Sequence, residues 1–335
     1  MKNLIIPDQY IPALSVRDMQ RAVKLVKDTF EHQFSSILGL ERISAPLFVL
    51  PQTGLNDDLN GVERPVQFDI KDIRQEVQIV QSLAKWKRMA LLRYGFGMHE
   101  GLYTDMNAIR RDEELDNLHS VYVDQWDWER VIAREDRTLD YLKATVRDIL
   151  KAVIQTLEVV RNRFPAITLS ICPDVFFITS QELLDLYPGL DAKAREDAIC
   201  KKHGTVFIMQ IGGCLSDGSI HDGRAPDYDD WALNGDLLLW NEVLGRAFEL
   251  TSMGIRVDAQ SLRRQLDERG CPERAQLVYH RMLLEEKLPL TIGGGLGQSR
   301  LCMLLLQAAH IGQVHASVWS EEMIEACSKK GIHLL

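Results

Sequence analysis

A glycine-rich segment directly before an apolar run is the first pattern in the sequence with a clear chemical use. Gly293-Gly294-Gly295-Leu296-Gly297-Gln298-Ser299-Arg300 precedes the apolar residues 301–306. Glycine lets a backbone approach a ligand closely, and the amides that open a helix attract anions. Arg300, in the first helical turn, is placed to contact a phosphate. The segment matches neither a Walker loop nor a G-x-G-x-x-G fingerprint, and on glycine count alone a tight turn explains it equally well.

A row of polar side chains on one predicted strand is the second pattern. Residues 118–129 alternate with period two, so their side chains divide between two faces. One face carries Gln125, Asp127 and Glu129. The other carries Asp124 and the aromatic residues Tyr122, Trp126 and Trp128, and is predicted to be core. Acids and amides that face helices cost free energy unless they bind something, although a solvated face is the commoner explanation of such a row taken alone.

The elements that must position these residues mix helical and strand periodicity along the whole chain. Ser15 is predicted to cap a helix that ends at Gly39, a second helix is predicted from Thr138 to about Phe164, and a third from near Ser82 to near Tyr94-Gly95. A capping box at 179–182 predicts a further short helix. Strands are predicted at 43–50, 75–80, 119–129, 175–179, 206–211, 237–240 and 252–257. Because strands and helices do not alternate regularly, we expect one α+β domain, residues 1–335, with an antiparallel sheet flanked by helices.

Composition restricts the classes of partner. The chain has 335 residues and a net charge of −9, and a protein whose main partner is a nucleic acid normally presents a basic face, so we expect none. The six cysteines show no C-x-x-C spacing, which favours reduced thiols over a zinc site. The N-terminus lacks the apolar run of a signal peptide, and no stretch approaches a membrane span. We therefore expect a cytoplasmic protein.

Taken in order along the chain, these segments resemble the motifs of class II aminoacyl-tRNA synthetases. The segment Arg110-Arg111-Asp112-Glu113 is similar to the second motif of that class, and the glycine-rich segment ending in Arg300 is similar to the third. The long first helix, the strand after it and Pro46 are similar to the first motif. In that class the first motif forms the dimer interface, so the resemblance implies a homodimer.

Four segments narrow the resemblance to the bacterial ammonia-dependent asparagine synthetase family. They are residues 80–88, the W-x-W strand at 119–130, Arg224-Ala225-Pro226-Asp227-Tyr228-Asp229-Asp230-Trp231, and Thr291-Ile292-Gly293-Gly294-Gly295. The family implies a two-step reaction. Aspartate attacks the α-phosphorus of ATP to give β-aspartyl-AMP and pyrophosphate, and ammonia then displaces AMP. Such chemistry needs positioning and charge neutralisation rather than a protein nucleophile.

The resemblance also implies a role for individual residues. Arg110 would hold the α-phosphate and Arg300 the γ-phosphate, and both would be catalytic together with Lys87 and Asp57. Mg²⁺, which prefers carboxylates, phosphates and water, would bind Asp236 and Glu249. The remaining ATP contacts would come from Asp112, Glu129 and Gly295. The aspartate site would be formed by Asp57, Ser82, Lys87, Gln125, Asp127, Asp229 and Arg256.

The nitrogen donor is expected to be free ammonia. Position 2 is Lys2, so an N-terminal cysteine of the glutaminase type is lacking, and no glutaminase segment is visible. We hypothesise that a site carboxylate such as Asp57 takes a proton from bound ammonium. Replacing Asp57 with Asn should then slow asparagine formation more than adenylate formation.

Two other functions remain open. A synthetase that charges tRNA with aspartate or asparagine would need an anticodon-binding module, for which the sequence has no spare segment. A catalytically inactive paralogue that senses an amino acid would be expected to lack motif arginines or metal acids, whereas Arg110, Arg300, Asp236 and Glu249 are all present. A third interpretation, an α+β domain whose function the sequence does not reveal, holds only if all the motif matches arise by chance.

Overall fold

An eight-stranded, mostly antiparallel sheet organises the protein in the computed structural model, which describes residues 4–56 and 63–335. Within those residues the strands are β1 (Leu40–Arg42), β2 (Phe48–Val49), β3 (Gln67–Ile70), β4 (Gln75–Ile79), β5 (Gly101–Ile109), β6 (Tyr122–Val131), β7 (Phe176–Thr179), β8 (Thr205–Met209), β9 (Asp229–Asn241), β10 (Arg246–Arg256) and β11 (Thr291–Gly297). The large sheet has the order β1-β5-β6-β11-β10-β9-β8-β7, and β2, β4 and β3 form a small second sheet. Only the β1–β5 and β7–β8 pairs of the large sheet are parallel.

Helices flank this sheet. In the same described ranges they are α1 (Val16–Leu38), α2 (Ala84–Tyr94), α3 (Leu139–Arg163), α4 (Ser180–Leu186), α5 (Ala192–His203), α6 (Ala259–Glu268), α7 (Val278–Leu284), α8 (Gln298–Leu305) and α9 (Glu321–Ser328). The predicted α+β architecture, with an antiparallel sheet and flanking helices, is confirmed. None of the described helices is long and apolar enough to cross a membrane.

The helix ends follow the local chemistry of their capping residues. Ser15 accepts the amide of Asp18 at the start of α1, and Gly39 ends that helix in the left-handed region at φ 65°. Thr138 caps α3, and Thr179 with Glu182 forms the predicted capping box of α4. The cap at Ser15, the helix end at Gly39 and the capping box at Thr179 were predicted from the sequence and are confirmed.

The main core lies between the helices α1 and α3 and one face of the sheet. Phe30 and Phe34 of α1 are fully buried and pack on Trp126 and Trp128 of β6, with ring centroids 4.7 and 6.0 Å apart. Aromatic pairs of this kind add to the free energy gained by burial. Tyr122, predicted to share this core face, instead lies at the start of β6 with 38% of its surface exposed.

Several element predictions were wrong in extent. The glycine-rich segment, for which the sequence left a ligand-binding loop and a tight turn open, is the strand β11 in the middle of the sheet. The strands β9 and β10 extend well beyond 237–240 and 252–257, and only residues 48–49 of the predicted strand 43–50 pair. Sequence periodicity fails at β11 because its glycines carry no side chains to mark a face.

Candidate active site

A cavity of about 440 Å³ opens over the middle strands of the large sheet. It is bounded by β6, β11 and β10 and by the segments that follow β4 and precede β9. The cavity collects most of the residues that the sequence singled out, namely Ser82, Arg110, Gln125, Asp127, Asp229, Glu249, Arg256, Gly295 and Arg300. Four predicted site residues lie beside or behind it (Lys87, Asp112, Glu129 and Asp236), and Asp57 lies outside the described residues.

Two buried acids hold Arg256 at the floor of the cavity. Its guanidinium donates from Nε and Nη2 to Glu129 at 3.0 and 2.8 Å, and from Nη1 to Asp229. Burial raises the pKa of Asp229, and the Arg256 charge only partly offsets this. Burial would also raise the pKa of Glu129, but the charges of Arg256 and Lys87 outweigh it and hold that pKa below its ordinary value. Glu129 is therefore a fixed anion that orients Arg256.

Lys87 forms the second cation of this floor. Its ammonium donates to Asp127, to the carbonyl of Trp128 at 2.9 Å and to that of Gly294 at 3.2 Å. The side chain is fully buried, and this burial lowers the pKa of Lys87 despite the neighbouring carboxylates of Asp127 and Glu129. The charged run Lys85, Lys87 and Arg88 is inside the protein on α2, and not on a solvated surface.

Two glycines of β11, Gly293 and Gly295, make room for this polar floor. A Cβ on Gly293 would collide with the carboxylate of Glu129 and lie 2.6 Å from Arg256. A Cβ on Gly295 would collide with the side-chain oxygen of Gln125. Gly293 and Gly295 are thus required because polar side chains of the adjacent strands occupy the space beside the backbone.

The other end of the cavity contains Arg300, whose guanidinium lies 3.6 Å from the carboxylate of Glu249. Arg300 donates to the backbone oxygen of Glu249 at 3.2 Å, and its Nη2 lies 3.0 Å from Nε2 of His119. The amide of Ser299, at the N-terminus of α8, donates to the buried carboxylate of Asp124 at 3.0 Å. The sequence suggested that the amides at this helix end contact a ligand, but Asp124 occupies one of them. Arg300 itself points into the cavity, as expected.

Asp236 and Glu249 form an acidic pair on the neighbouring strands β9 and β10. Asp236 is paired with Arg224, yet burial and the charge of Glu249 raise its pKa to about 6. Its Oδ1 atom is buried and has no hydrogen-bond partner among the described residues. No group of three or more His, Cys, Asp or Glu side chains within 4–56 and 63–335 has metal-site geometry. The pair fits a cation that brings its own phosphate and water ligands.

Arg110 ends β5 and lines the cavity, while Asp112, two residues later, lies outside it. Asp112 accepts the backbone amide of Arg64 at 3.1 Å and forms an ion pair with its guanidinium, which holds the pKa of Asp112 at about 2. The hydrogen bonds from Arg64 cause this shift. Asp112 therefore anchors the segment next to Arg110.

Three groups at the site were not singled out from the sequence. Arg224 pairs with both Asp222 and Asp236, and His119 contacts Arg300. Asp124 binds the start of α8 and Lys27 of α1. In the sequence these residues are marked only by their position in or beside the motifs described above. Most of their contacts join residues that are far apart in the chain, so the sequence does not reveal them.

The comparisons with known proteins identify the family. The sequence model described as aspartate-ammonia ligase matches residues 17–331. The aspartate–ammonia ligase of Clostridium tetani is 59% identical over 335 residues, which is 100% of this chain and 98% of that protein. That of Levilactobacillus brevis is 57% identical over 99% of this chain and 100% of its own. The chain belongs to the aspartate–ammonia ligase family. It is accordingly an enzyme, as the sequence resemblance predicted.

Solved structures show the fold of this family member. Asparaginyl-tRNA synthetase from Pyrococcus horikoshii, complexed with asparaginyl-adenylate, has a TM-score of 0.65 at 18% identity, covering 89% of this chain and 68% of that one. The Entamoeba histolytica asparaginyl-tRNA synthetase complex has a TM-score of 0.68 at 13% identity, covering 90% and 66%. The predicted catalytic-domain fold of class II aminoacyl-tRNA synthetases is confirmed.

Proposed function

We propose that this enzyme makes L-asparagine from L-aspartate, ammonia and ATP, through β-aspartyl-AMP, and releases AMP and pyrophosphate. The observation that carries the proposal is the division of one cavity into two chemically different ends. One end has buried cations interleaved with acids around Arg256 and Lys87. The other has Arg110 and Arg300 at its lining. An amino acid suits the first end and a nucleoside triphosphate the second.

The floor of the cavity has the charges that aspartate needs. Aspartate carries one ammonium and two carboxylates, so its site must supply acids for the first and cations for the others. Arg256 and Lys87 are the cations, and Asp127 and Asp229 supply the acids. Gln125 and Ser82 line the same cavity and add neutral hydrogen-bonding groups. The acids hold the two cations in fixed positions before a ligand binds, and such preorganisation favours recognition of a charged substrate.

Activation of aspartate requires charge neutralisation at the phosphates. The side-chain carboxylate attacks the α-phosphorus, the bond to the pyrophosphate oxygen breaks, and pyrophosphate leaves. In this proposal Arg110 binds the α-phosphate and Arg300 the γ-phosphate, with Asp112 and Gly295 supporting the ATP site, whereas Glu129, expected there from the sequence, is buried at the aspartate end. Glu129 lies behind Arg256 and acts by orienting it. Charge-assisted hydrogen bonds to phosphate are strong and directional, which suits both arginines.

Magnesium is proposed to enter with ATP beside Asp236 and Glu249. When bound there, Mg²⁺ supplies positive charge that neutralises the phosphates. The carboxylates of Asp236 and Glu249 would hold the ion, and Arg224 pairs with Asp236 in this structure. The burial of Asp236 and its partnerless oxygen support this assignment.

The second step joins ammonia to the activated carboxyl. The nitrogen lone pair attacks the acyl carbon, the bond to the AMP oxygen breaks, and the nitrogen loses a proton. Asp57 stays the predicted acceptor of a proton from ammonium.

We also propose that the enzyme is a cytoplasmic homodimer that uses α1 and the strand after it as its interface. Sedimentation equilibrium tests whether the protein is a dimer.

The deciding experiment mixes the purified protein with aspartate, MgATP and ammonium chloride, with glutamine or tRNA as separate comparisons. We expect AMP and asparagine in equal amounts with ammonium alone. A folded, ATP-binding protein that forms no asparagine would contradict the proposal. AMP that appears only with tRNA would indicate the tRNA-charging reaction instead.

A further inference from the structure

A second cavity, of about 300 Å³, adjoins the first one. It contains four carboxylates and two guanidinium groups at its lining, from Glu63, Asp112, Glu113, Asp222, Arg110 and Arg224. Asp112 pairs with Arg64 and Asp222 with Arg224, and Glu63 and Glu113 add two further carboxylates to the lining. An excess of carboxylates at a concave surface concentrates small cations and repels anions.

Gln81 also lines this second cavity, and its side chain has no partner. The residue is only 1% exposed, yet neither Oε1 nor Nε2 of its amide has a hydrogen-bond partner among the described residues. Its backbone amide, by contrast, donates to Asn56 at 2.9 Å, so the residue is held in place. A buried amide without partners costs free energy, and such a cost is retained where a ligand meets it.

The two cavities share part of their walls. Arg110, Glu113 and Tyr228 line both, and Ser82, the residue after Gln81, lines the first cavity. Gln81 and Ser82 are neighbours in the chain, so the two cavities meet at this point of the backbone. This arrangement connects an acidic surface to the place where the activated carboxyl would lie.

We propose that this second cavity binds ammonium and delivers the nitrogen to the first cavity, with Oε1 of Gln81 as a specific acceptor. The inference rests on the proposed function and names the site of its nitrogen donor. Ammonium has four N–H donors and one positive charge, so it needs acceptors and an acidic surface. The amide oxygen of Gln81 and the carboxylates of Glu63 and Glu113 supply both. No bond forms or breaks in this cavity, which only collects the cation.

The charge of the site favours a cation over an anion. The carboxylates of Glu63 and Asp112 line the second cavity but not the first, in which the triphosphate is proposed to bind. An ordered water could instead bind the Gln81 amide, and replacing Gln81 would then leave ammonium binding unchanged. The KM for ammonium therefore distinguishes a water site from an ammonium site.

The test replaces Gln81 with Met, which keeps the length of the side chain and removes both polar atoms. Asparagine formation is measured against ammonium chloride concentration at saturating aspartate and MgATP. In parallel, aspartate-dependent exchange of pyrophosphate into ATP reports the activation step without ammonia. The matched control is Gln155→Met, since Gln155 of α3 also has a partnerless buried amide oxygen but lines neither cavity.

For Gln81→Met we expect the KM for ammonium to rise about fivefold or more, while the exchange rate changes less than about twofold. The control should change neither quantity. An unchanged KM for ammonium, or an equal loss in both assays, would overturn the ammonium site. If the unmodified enzyme shows no exchange and no asparagine, the proposed function itself fails, and that result is distinct. Thermal unfolding of the variant confirms folding, because replacing an unpaired amide by an apolar group should not lower Tm.

Discussion

Arg256 and Glu129 form a two-point ion pair inside the protein, at 3.0 Å from Nε and 2.8 Å from Nη2. Glu129 is 0% exposed and Arg256 3%. Thr291 donates to the same carboxylate at 2.6 Å, so its oxygens have partners on both sides. A buried pair of this kind contributes little against an apolar replacement, but losing one partner leaves an uncompensated charge.

Replacing Glu129 with Gln should lower the free energy of unfolding by about 3 kcal/mol, because Arg256 then keeps only Asp229 as an anionic partner. The pKa of Glu129 lies below its ordinary value despite burial, because Arg256 and Lys87 are close. The contribution of Glu129 to the free energy of unfolding is therefore complete above the ordinary carboxyl pKa. It is lost as the pH falls through the lower pKa that Glu129 has in the folded protein. Urea unfolding at pH 7 and pH 4 measures both effects.

The control for this change is Glu158→Gln on the exposed side of α3. That variant should unfold like the unmodified protein. A Glu129→Gln variant within about 0.5 kcal/mol of the unmodified protein at pH 7 would contradict the assigned importance of the pair.

Gly293→Ala should remove most activity and lower stability. The added Cβ would meet Glu129, and it would lie 2.6 Å from both the Trp128 carbonyl oxygen and Nη2 of Arg256. These atoms belong to a buried network and to the backbone of β6, so they cannot move cheaply. We expect a loss of about 3 kcal/mol in unfolding free energy, measured by urea denaturation.

Gly189→Ala is the matched control, since a Cβ there meets no atom within 4 Å. Its unfolding free energy and its rate of pyrophosphate exchange should be unchanged. If Gly293→Ala folds and exchanges as fast as this control, the reason given for the glycines of β11 is wrong.

The positions that the sequence could predict are those marked by local chemistry. The alternation in β6 separates Gln125, Asp127 and Glu129 from Trp126 and Trp128, and the capping residues mark helix ends. Both patterns depend on neighbours in the chain.

The sequence could not show how distant segments combine. Arg224 pairs with Asp236 only because β9 brings them together, and His119 meets Arg300 across 181 residues. The burial of Lys87 depends on where α2 packs, which its own residues, typical of a solvated helix, do not reveal. The strand β11 escaped prediction because its glycines are selected by the side chains of β6 and β10 beside it.

His310 should make stability fall at mildly acidic pH. Burial lowers its pKa to about 4, and its Nδ1 accepts the amide of Gly312 at 3.0 Å. His310 binds a proton more readily in the unfolded chain than in the folded protein. Its contribution to the free energy of unfolding is therefore complete above about pH 6.5 and declines as the pH falls towards 4. His310→Asn keeps an acceptor for Gly312 and should flatten this decline, by up to about 3 kcal/mol at its acid end.

Urea unfolding between pH 7.5 and pH 4.5 tests this expectation. His32→Asn, on the exposed side of α1, is the control and should leave the decline as it is. An equal decline in all three proteins would assign the acid sensitivity to other groups.

Arg300→Met should weaken ATP binding more than aspartate binding. Arg300 lines the proposed ATP end of the cavity, where the backbone oxygen of Glu249 and the His119 ring fix its direction. Hydrogen bonds to charged groups contribute about 1.5–3 kcal/mol, so the KM for ATP should rise by about tenfold to a hundredfold. The KM for aspartate should change much less, because Arg256 and Lys87 lie at the other end. Pyrophosphate exchange, measured against ATP and then against aspartate, separates the two constants.

Arg161→Met, at an exposed position of α3, is the control and should leave both constants unaltered. A larger rise in the KM for aspartate than in that for ATP would reverse the proposed orientation of the two substrates in the cavity.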